Sequence, residues 1–275
     1  MIQFIERRFT TRHNQLIETN ITDWRRAVAG DLTSAFDFKS PNSRKVHLPS
    51  TASYAPTDTV THPDFSPAVP ATQSLPKQEP GIRPARAVPY DLDVSADTDL
   101  SNGKVTIRFG NSGKAAAVYQ VRSGNAADGP WTYTVSPHAR VVESFTVRGK
   151  GQSKYDLSVY GPNGYFRAYK GSVETWDKAN LSIDTRCESD HGLTLDVRNK
   201  SRQTERVRIY DAYDKRTLER AVGPNQNLIW HWSLEDSYGW YDLTVTVDSD
   251  STFKQQLAGH IETGKDSMSD PLLGE

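Results

Sequence analysis

The sequence predicts a mainly β protein in which two tandem immunoglobulin-like β-sandwich domains follow a short helical segment and a proline-rich linker. Three observations predict this architecture. A pattern of strands and turns occurs twice in the chain. Each copy contains about seven short strands with turns roughly every 8 to 12 residues, which is typical of such sandwiches. Ten of the fifteen prolines lie between Pro41 and Pro89, which separates the β-rich part of the chain from a different N-terminal part.

The duplication relates residues 105–175 to residues 193–263. In both stretches three apolar residues alternate with polar ones, at 105–109 and at 193–197, and an asparagine follows. The offset between matched positions varies only from 86 to 88, and it changes across turn-like segments. This is expected because surface connections tolerate insertions, whereas a slip inside a paired strand would turn its apolar face to water. Matched pairs further along are Phe145 with Trp232, Tyr155 with Tyr241, and Gly171 with Gly259.

Five segments follow from these patterns. Residues 1–38 form the helical segment and residues 39–87 the linker. The linker is predicted to run extended across a surface or to stay mobile, because proline fixes φ and removes a backbone donor. The two β domains are predicted at residues 88–176 and 177–264. Residues 265–275 read as a loose polar tail.

Composition limits the kinds of partner. The chain is 36% hydrophobic with a mean hydropathy of −0.66, and it has no apolar run of the ~20 residues that a transmembrane helix needs. Lys and Arg (33) nearly balance Asp and Glu (34), so charge predicts no nucleic-acid partner. The N-terminus lacks the apolar core of a secretory signal, so no export signal is predicted in this chain. Cys187 is the only cysteine, which excludes an intrachain disulfide and a zinc-type cysteine pair.

Two short helices are predicted within residues 1–38. Apolar residues recur at helical spacing over residues 2–9. A second helix is predicted to begin at Asn20 or Thr22, which both suit an N-cap, and to stop at Gly30.

Phe36 and Phe38 close the helical segment and require burial. A segment of this length is too short to build a core of its own. We therefore expect residues 1–38 to be the end of a larger domain.

The sequence contains no pattern that indicates a catalytic residue, a metal ligand set or a cofactor site. No nucleophile elbow, phosphate-binding glycine loop or EF-hand loop is present. The seven histidines are scattered without metal-ligand spacing, which favours solvated or structurally satisfied side chains over a metal site. They are His13, His47, His62, His138, His191, His231 and His260.

Arg25 and Arg26 allow two interpretations. Guanidinium groups bind phosphates and carboxylates, so the pair could hold an anionic ligand. The favoured interpretation is that the arginines form ion pairs with Asp31 or Asp37, because both carboxylates are close in sequence. Cys187 lies beside charged residues at a strand end and is expected to be unreactive.

Trp131 and Trp230 are weak candidates for binding residues. Trp131 follows a turn and is expected near a loop tip, exposed to solvent with Tyr133. Trp230 is expected to be the half-exposed member of a tryptophan pair, because it matches Glu143 whereas Trp232 matches Phe145. A core position for both tryptophans is the favoured interpretation. If exposed, Trp131 or Trp230 could contact a lipid, a sugar or a protein.

A resemblance to a known family adds to this interpretation. Residues 20–38 resemble the closing segment of the catalytic domain of bacterial phosphocholine-specific phospholipases C, which belong to the phosphoesterase superfamily. In that family a proline-rich link and two tandem β domains follow, as they do here at 90–264. The ending over 264–271 is also similar. The resemblance implies that 1–38 is the C-terminal remnant of a phosphoesterase catalytic domain.

The resemblance also implies a function and a location. The family is exported to the periplasm or secreted, and it hydrolyses phosphatidylcholine to diacylglycerol and phosphocholine. Its nucleophile and metal ligands lie in an N-terminal part that nothing here matches, so no catalytic residue is carried over and the isolated chain is expected to be inactive. The implied partners are a phosphoesterase catalytic domain encoded upstream and a phospholipid surface. The alternative is an independent β-sandwich binding module for lipid, sugar or protein.

Overall fold

The computed structural model describes residues 1–41, 80–147, 153–174, 178–188 and 192–274, together with isolated positions between 43 and 73. Most of the predicted linker, His62 and His191 lie outside these residues. The chain divides into two compact units, residues 1–78 and residues 79–275.

The first unit contains the two predicted helices, α1 (Ile2–Phe9) and α2 (Asp23–Val28), followed by a 3-10 turn (Thr33–Ala35). Thr22 is the N-cap of α2, because its hydroxyl accepts a hydrogen bond from the Arg25 amide at 3.3 Å. The α2 helix ends before Gly30, where Ala29 is already extended.

The second unit is built almost entirely from strands. The short strand β1 (Pro84–Ala85) precedes the first copy of the β pattern, which we call repeat 1. Its seven strands are β2 (Leu92–Asp99), β3 (Lys104–Asn111), β4 (Ala117–Ser123), β5 (Trp131–Val135), β6 (Ala139–Thr146), β7 (Lys154–Tyr160) and β8 (Phe166–Ser172).

The second copy, repeat 2, has seven strands in the same order. They are β9 (Leu181–Cys187), β10 (Gly192–Asn199), β11 (Glu205–Asp211), β12 (Arg216–Val222), β13 (Asn227–Ser233), β14 (Trp240–Val247) and β15 (Lys254–His260). A short strand, β16 (Ser267–Met268), and a 3-10 turn (Pro271–Gly274) follow.

Each repeat consists of a three-stranded and a four-stranded antiparallel sheet. The three-stranded sheets have the orders β2-β3-β6 and β13-β10-β9. The four-stranded sheets, β5-β4-β7-β8 and β12-β11-β14-β15, are joined because β8 pairs with β15, so the two repeats share one eight-stranded sheet. The mainly β, sandwich-like arrangement that the duplication predicts is confirmed.

The strand register confirms the alignment of the two copies. Phe145 pairs with Val105 in repeat 1, and Trp232 pairs with Leu193 in repeat 2. Positions that match in sequence therefore have the same neighbours across the sheet.

Each repeat has its own hydrophobic core between its two sheets. The alternating apolar residues of β3 and β10 lie at the centre of these cores and are fully buried, since the period of two places them on one face. The residues concerned are Val105, Ile107 and Phe109 in repeat 1, and Leu193, Leu195 and Val197 in repeat 2.

The junction between the repeats has internal two-fold character. Ala168 of β8 pairs with Gln256 of β15, and these two positions are also equivalent in the duplication, 88 residues apart. When a strand pairs with its own equivalent, the two copies are related in the same way as the subunits at the interface of a symmetric dimer. Further contacts cross the junction between the three-stranded sheets, where Lys200 pairs with Asp97.

The expectation that residues 265–275 form a loose tail is wrong for the described residues 265–274. The β16 strand pairs with β1, and the Ser269 amide donates to the Arg83 carbonyl at 2.7 Å. The Trp240 indole donates to the Met268 carbonyl at 2.9 Å. Hydrogen bonds and apolar side chains therefore fasten these residues to repeat 2.

Candidate functional site

An open groove lies in repeat 1 between the outer strands of its two sheets. We call it groove 1; its volume is about 700 Å³. Trp131 and Tyr133 of β5 and Phe145 of β6 form an aromatic wall, and polar side chains surround it. The polar and charged side chains that line the groove include Asn125, Asp128, Glu143, Lys154, Asp156 and Lys170.

The corresponding groove of repeat 2, groove 2, has a volume of about 550 Å³. Its aromatic wall comes from Trp230 and Trp232, whose ring centroids are 6.2 Å apart. The Arg220 guanidinium lies 5.1 Å from the centre of the Trp230 ring. Pro271 and Leu272 also line this groove.

The two grooves occupy equivalent places. Trp131 pairs with Val121 and Leu218 pairs with Ile209, and Val121 and Ile209 are equivalent core positions. Phe145 likewise corresponds to Trp232. The duplication has therefore produced two equivalent grooves whose lining side chains differ.

The wall of groove 1 is held in place by packing against the core. The Trp131 and Phe145 rings meet edge to face with centroids 5.0 Å apart, and Tyr133 stacks on buried Phe109 at 4.8 Å. Burial, with a smaller contribution from the charge of Glu143, raises the pKa of the Tyr133 hydroxyl. These rings form a fixed surface because their rotamers are constrained by neighbours.

Both candidate tryptophans are half-buried in the structure. Trp131 is half-buried against Phe145 and is not an open loop-tip ring. Trp230 is half-buried as well. Phe145 and Trp232, which we expected in the core, are only half-buried and line the grooves. They lie on edge strands, and the next strand beside each belongs to the opposite sheet, so one side of each ring remains uncovered.

The expected ion-pair partner of Arg26 is corrected by the structure. Arg26 forms a bidentate ion pair with Glu6 of α1, at 2.7 and 2.9 Å, and Asp31 pairs with Arg7. The hydrogen bonds from Arg26 lower the pKa of the Glu6 carboxyl to about 2. Proximity in sequence misled the prediction, because α1 folds back beside α2 and brings Glu6 closer.

His260, Glu262 and Ser267 superficially resemble a catalytic triad. His260 Nδ1 is 2.9 Å from Glu262 Oε1, and Nε2 is 3.2 Å from Ser267 Oγ. However, the Ser267 hydroxyl donates to the Tyr238 carbonyl at 3.0 Å, and His260 Nε2 lies 3.0 Å from the same carbonyl. The hydroxyl proton of Ser267 is therefore directed to a backbone carbonyl and not to His260. The cluster fastens β16 to repeat 2.

The Cys187 thiol is not activated in this structure. Desolvation raises the pKa of Cys187 to about 11, which keeps the thiol protonated at neutral pH. Among the described residues, no group of three or more His, Cys, Asp or Glu side chains is arranged to hold a metal ion. None of the helices in the described part of the chain has the length and apolar character required to span a bilayer.

Sequence reasoning missed the residues that surround the two aromatic walls. Tyr213, Pro271 and Leu272 border groove 2, while Asn125 and Lys154 border groove 1. The apolar sequence Pro-Leu-Leu at the end of an otherwise polar stretch could have identified Pro271 and Leu272. Nothing in the local sequence identifies Asn125 and Lys154 as groove residues.

Comparison with known proteins identifies the family. The sequence matches the family described as "Bacterial phospholipase C, C-terminal domain" twice, at residues 84–172 and at residues 178–260. The non-hemolytic phospholipase C of Burkholderia pseudomallei is 42% identical over 99% of this chain. The non-hemolytic and hemolytic phospholipases C of Pseudomonas aeruginosa are 35% and 34% identical over 100% and 99% of it.

The chain spans about two fifths of the length of these curated relatives, between 39% and 41%. The two family matches coincide with the two repeats, each of which contributes one of the grooves. The chain belongs to the bacterial phospholipase C family, and it carries the C-terminal domain of that family in two consecutive copies.

Proposed function

We propose that this chain is the C-terminal region of an exported phospholipase C that hydrolyses phosphatidylcholine to diacylglycerol and phosphocholine. Residues 1–38 complete a phosphoesterase catalytic domain encoded upstream. The two β repeats, predicted at 88–176 and 177–264, support that domain or target it to a phospholipid surface. No catalytic residue of the reaction is assigned to this chain.

The observation that supports this proposal best is the exposed apolar surface of residues 1–38. Phe38 is 71% exposed, Phe9 61% and Trp24 50%. Exposure of several large apolar side chains in so short a segment is unfavourable in water and marks an interaction surface. Ile5, Ile17, Leu32 and Phe36 are also exposed.

The same segment has a defined polar framework. The Glu6–Arg26 pair links α1 to α2, and the side chain of Asp31 accepts hydrogen bonds from the amide and hydroxyl of Thr33. A segment with an ordered polar framework and an uncovered apolar surface is what the edge of a larger domain presents. We infer that the missing cover is the catalytic domain.

The test combines the full chain with a separately produced catalytic domain from the Burkholderia relative. Alone, with divalent metals added, the chain should not hydrolyse phosphatidylcholine or p-nitrophenylphosphorylcholine. Added to the catalytic domain, it should increase turnover on phosphatidylcholine vesicles. The double variant Phe36→Asp and Phe38→Asp should abolish that increase, because charges would replace the apolar contact.

Tyr160→Asp is the matched control, since Tyr160 is an exposed aromatic residue of repeat 1 and should be replaceable. Stimulation that survives the double variant would contradict a role for 1–38 in completing the catalytic domain. Hydrolysis by the chain alone that a point substitution within 90–263 abolishes would contradict the assignment of the chain as non-catalytic.

An independent binding module is the second candidate, and the half-buried aromatic walls of the two grooves favour it. Such a module would bind lipid, sugar or protein without a catalytic partner. Ligand binding by the full chain that is unchanged by the double variant, together with no effect on the catalytic domain, would favour this candidate.

A further inference from the structure

Groove 2 contains an internal example of how these grooves hold a polypeptide segment. Residues 266–272 cross the end of repeat 2 and place Pro271 and Leu272 against the groove that contains Trp230 and Trp232. Two donors fix the segment. The Trp240 indole donates to the Met268 carbonyl at 2.9 Å, and the Tyr213 hydroxyl donates to Asp270 Oδ1 at 2.8 Å.

The residues that hold this segment have counterparts in groove 1. Trp240 begins β14 and pairs with His260, while Lys154 begins β7 and pairs with Ser172, so Trp240 and Lys154 are equivalent. A lysine therefore provides N–H donors where repeat 2 has an indole N–H.

The second donor of repeat 2, the Tyr213 side chain, also has a counterpart in groove 1. Asp211 ends β11 and accepts a hydrogen bond from the Tyr213 amide, and Ser123 ends β4 and accepts one from the Asn125 amide. Tyr213 and Asn125 are thus equivalent, and both carry a side-chain donor. The aromatic wall is retained too, with Phe145 and Trp131 in place of Trp232 and Leu218.

Among the described residues, no segment lies across groove 1 as residues 266–272 lie across repeat 2. We propose that groove 1 binds an extended segment of a separate polypeptide in which an acidic residue precedes proline and leucine. Lys154 donates to a backbone carbonyl of that segment, Asn125 donates to its carboxylate, and the Trp131–Phe145 wall packs against the proline and leucine. The proposal is independent of the proposed function.

Groove 1 carries charges of both signs, with Asp128, Glu143 and Asp156 beside Lys154 and Lys170, so the preference for a carboxylate rests on the hydrogen-bond donors of the groove. Lys170 is held by Asp156 at 2.7 Å, so its charge is already matched within the protein. Lys154 is exposed at the rim of the groove, beside the wall. Asn125 Nδ2 carries two hydrogens and donates one of them to Asp128 at 3.1 Å. A carboxylate that precedes the apolar residues would accept the second, as Asp270 accepts from Tyr213 in repeat 2.

The probe is a fluorescein-labelled synthetic peptide with the sequence of residues 265–274, titrated with the full chain and followed by fluorescence anisotropy. We expect saturable binding that a scrambled peptide does not show. Lys154→Ala should weaken binding by about tenfold, as expected for the loss of one charge-assisted hydrogen bond. Asn125→Ala should have a similar effect.

Two controls separate groove 1 from other sites. Lys104→Ala removes an exposed lysine from β3, outside the groove, and should leave the affinity unchanged. Tyr213→Phe removes the equivalent donor in groove 2 and should also leave it unchanged. Both groove 1 variants replace side chains outside the core, so retained circular dichroism spectra will show that folding is intact.

Three results would overturn the proposal. The first is the absence of saturable binding up to about 1 mM peptide. The second is binding that Tyr213→Phe weakens and Lys154→Ala does not, which would mean that the peptide displaces residues 265–274 from groove 2. The third is a Lys154-dependent binding of phosphatidylcholine vesicles or of oligosaccharides in the absence of peptide binding.

Discussion

Arg167 lies buried at the junction between the two repeats. Its side chain is 1% exposed, and the residue pairs with Leu257 where β8 meets β15. Its guanidinium donates to the Ala258 carbonyl and to the Tyr241 hydroxyl, both at 2.9 Å, and lies 4.3 Å from the centre of the Tyr165 ring. The two repeats together supply these partners, so the arginine is buried only because they dock.

Substitution of Arg167 by alanine should lower the free energy of unfolding by about 3 to 5 kcal/mol, because a cavity forms and buried acceptors lose their donor. Arg167→Met should cost less, since an apolar side chain of similar volume avoids the desolvation of a charge. Urea unfolding measures both. Exposed Arg108→Ala is the control and should change stability by no more than about 0.5 kcal/mol. A methionine variant as unstable as the alanine variant would show that the charge itself is required.

Glu6 predicts a pH dependence within residues 1–38. Hydrogen bonds from Arg26 lower its pKa from the ordinary 4.5 to about 2. Because the folded-state pKa is lowered, the stabilisation is present above the ordinary pKa and is lost as the pH falls toward about 2. An NMR titration of the Glu6 carboxyl and the Arg26 guanidinium should show one shared midpoint. Glu6→Gln should remove the Arg26 response, and a Glu6 midpoint near 4.5 would contradict the ion pair.

Among the structural elements, the outer strands of each sheet explain the partly wrong core assignment. The alternation in β6 and β13 correctly identifies which face points inward. Beside each of them, however, the next strand belongs to the opposite sheet. Inward-facing Phe145 and Trp232 are therefore only half-buried and form groove walls.

The pairing of β1 with β16 predicts how trypsin will cut the chain. The β1 strand follows Arg83, and the Arg83 carbonyl accepts a hydrogen bond from Ser269. Backbone held in a strand pair resists proteolysis, and trypsin does not cleave the Arg83–Pro84 bond, so the resistant fragment should begin before Pro84, after cleavage at a basic residue of the linker. In a variant that lacks residues 265–275, the fragment should begin near Val88, after cleavage at Arg86.

Mass spectrometry of the two digests will show the difference. A resistant fragment with the same N-terminus in both proteins would mean that the β1–β16 pair does not protect the chain. The variant Lys265→Ala, which retains all residues, serves as the control and should digest like the unmodified protein.

The whole second unit is organised around the eight-stranded sheet. Its strand order places β8 and β15 side by side at the centre, and the outer strands β5 and β12 lie at opposite edges. Either repeat alone would expose the backbone donors and acceptors of β8 or β15 to solvent. The continuous sheet therefore couples the folding of the two repeats.

We therefore expect one cooperative melting transition for residues 79–275. Phe109→Ala in repeat 1 and Leu195→Ala in repeat 2 each remove a fully buried side chain and should cost about 3 to 5 kcal/mol and 2 to 5 kcal/mol. Both should shift the same calorimetric peak. Phe145→Ala should shift it less, because Phe145 is only half-buried. Two peaks, each sensitive to one variant, would contradict coupling through β8 and β15.

The strands, their order and the duplication could be predicted from the sequence because they depend on local alternation and on turn residues. The fourteen strands of the repeats lie where apolar alternation and Gly, Asn and Pro turns place them. The partner of Arg26 and the docking of residues 265–274 could not be predicted in this way. Both depend on contacts between residues far apart in the chain, which leave no periodic pattern.

The sequence by itself determined that this protein contains the same β unit twice and that Phe36 and Phe38 require burial, which a segment of 38 residues is too short to provide. Only the tertiary structure decided that the two copies share a sheet, that Arg167 lies buried between them, and that, among the described residues, a segment of the chain lies against groove 2 and none lies across groove 1. The physical reason is that alternation specifies which face of a strand is apolar. Which edge pairs with which edge depends on the shapes and hydrogen-bonding groups that meet after the strands have formed.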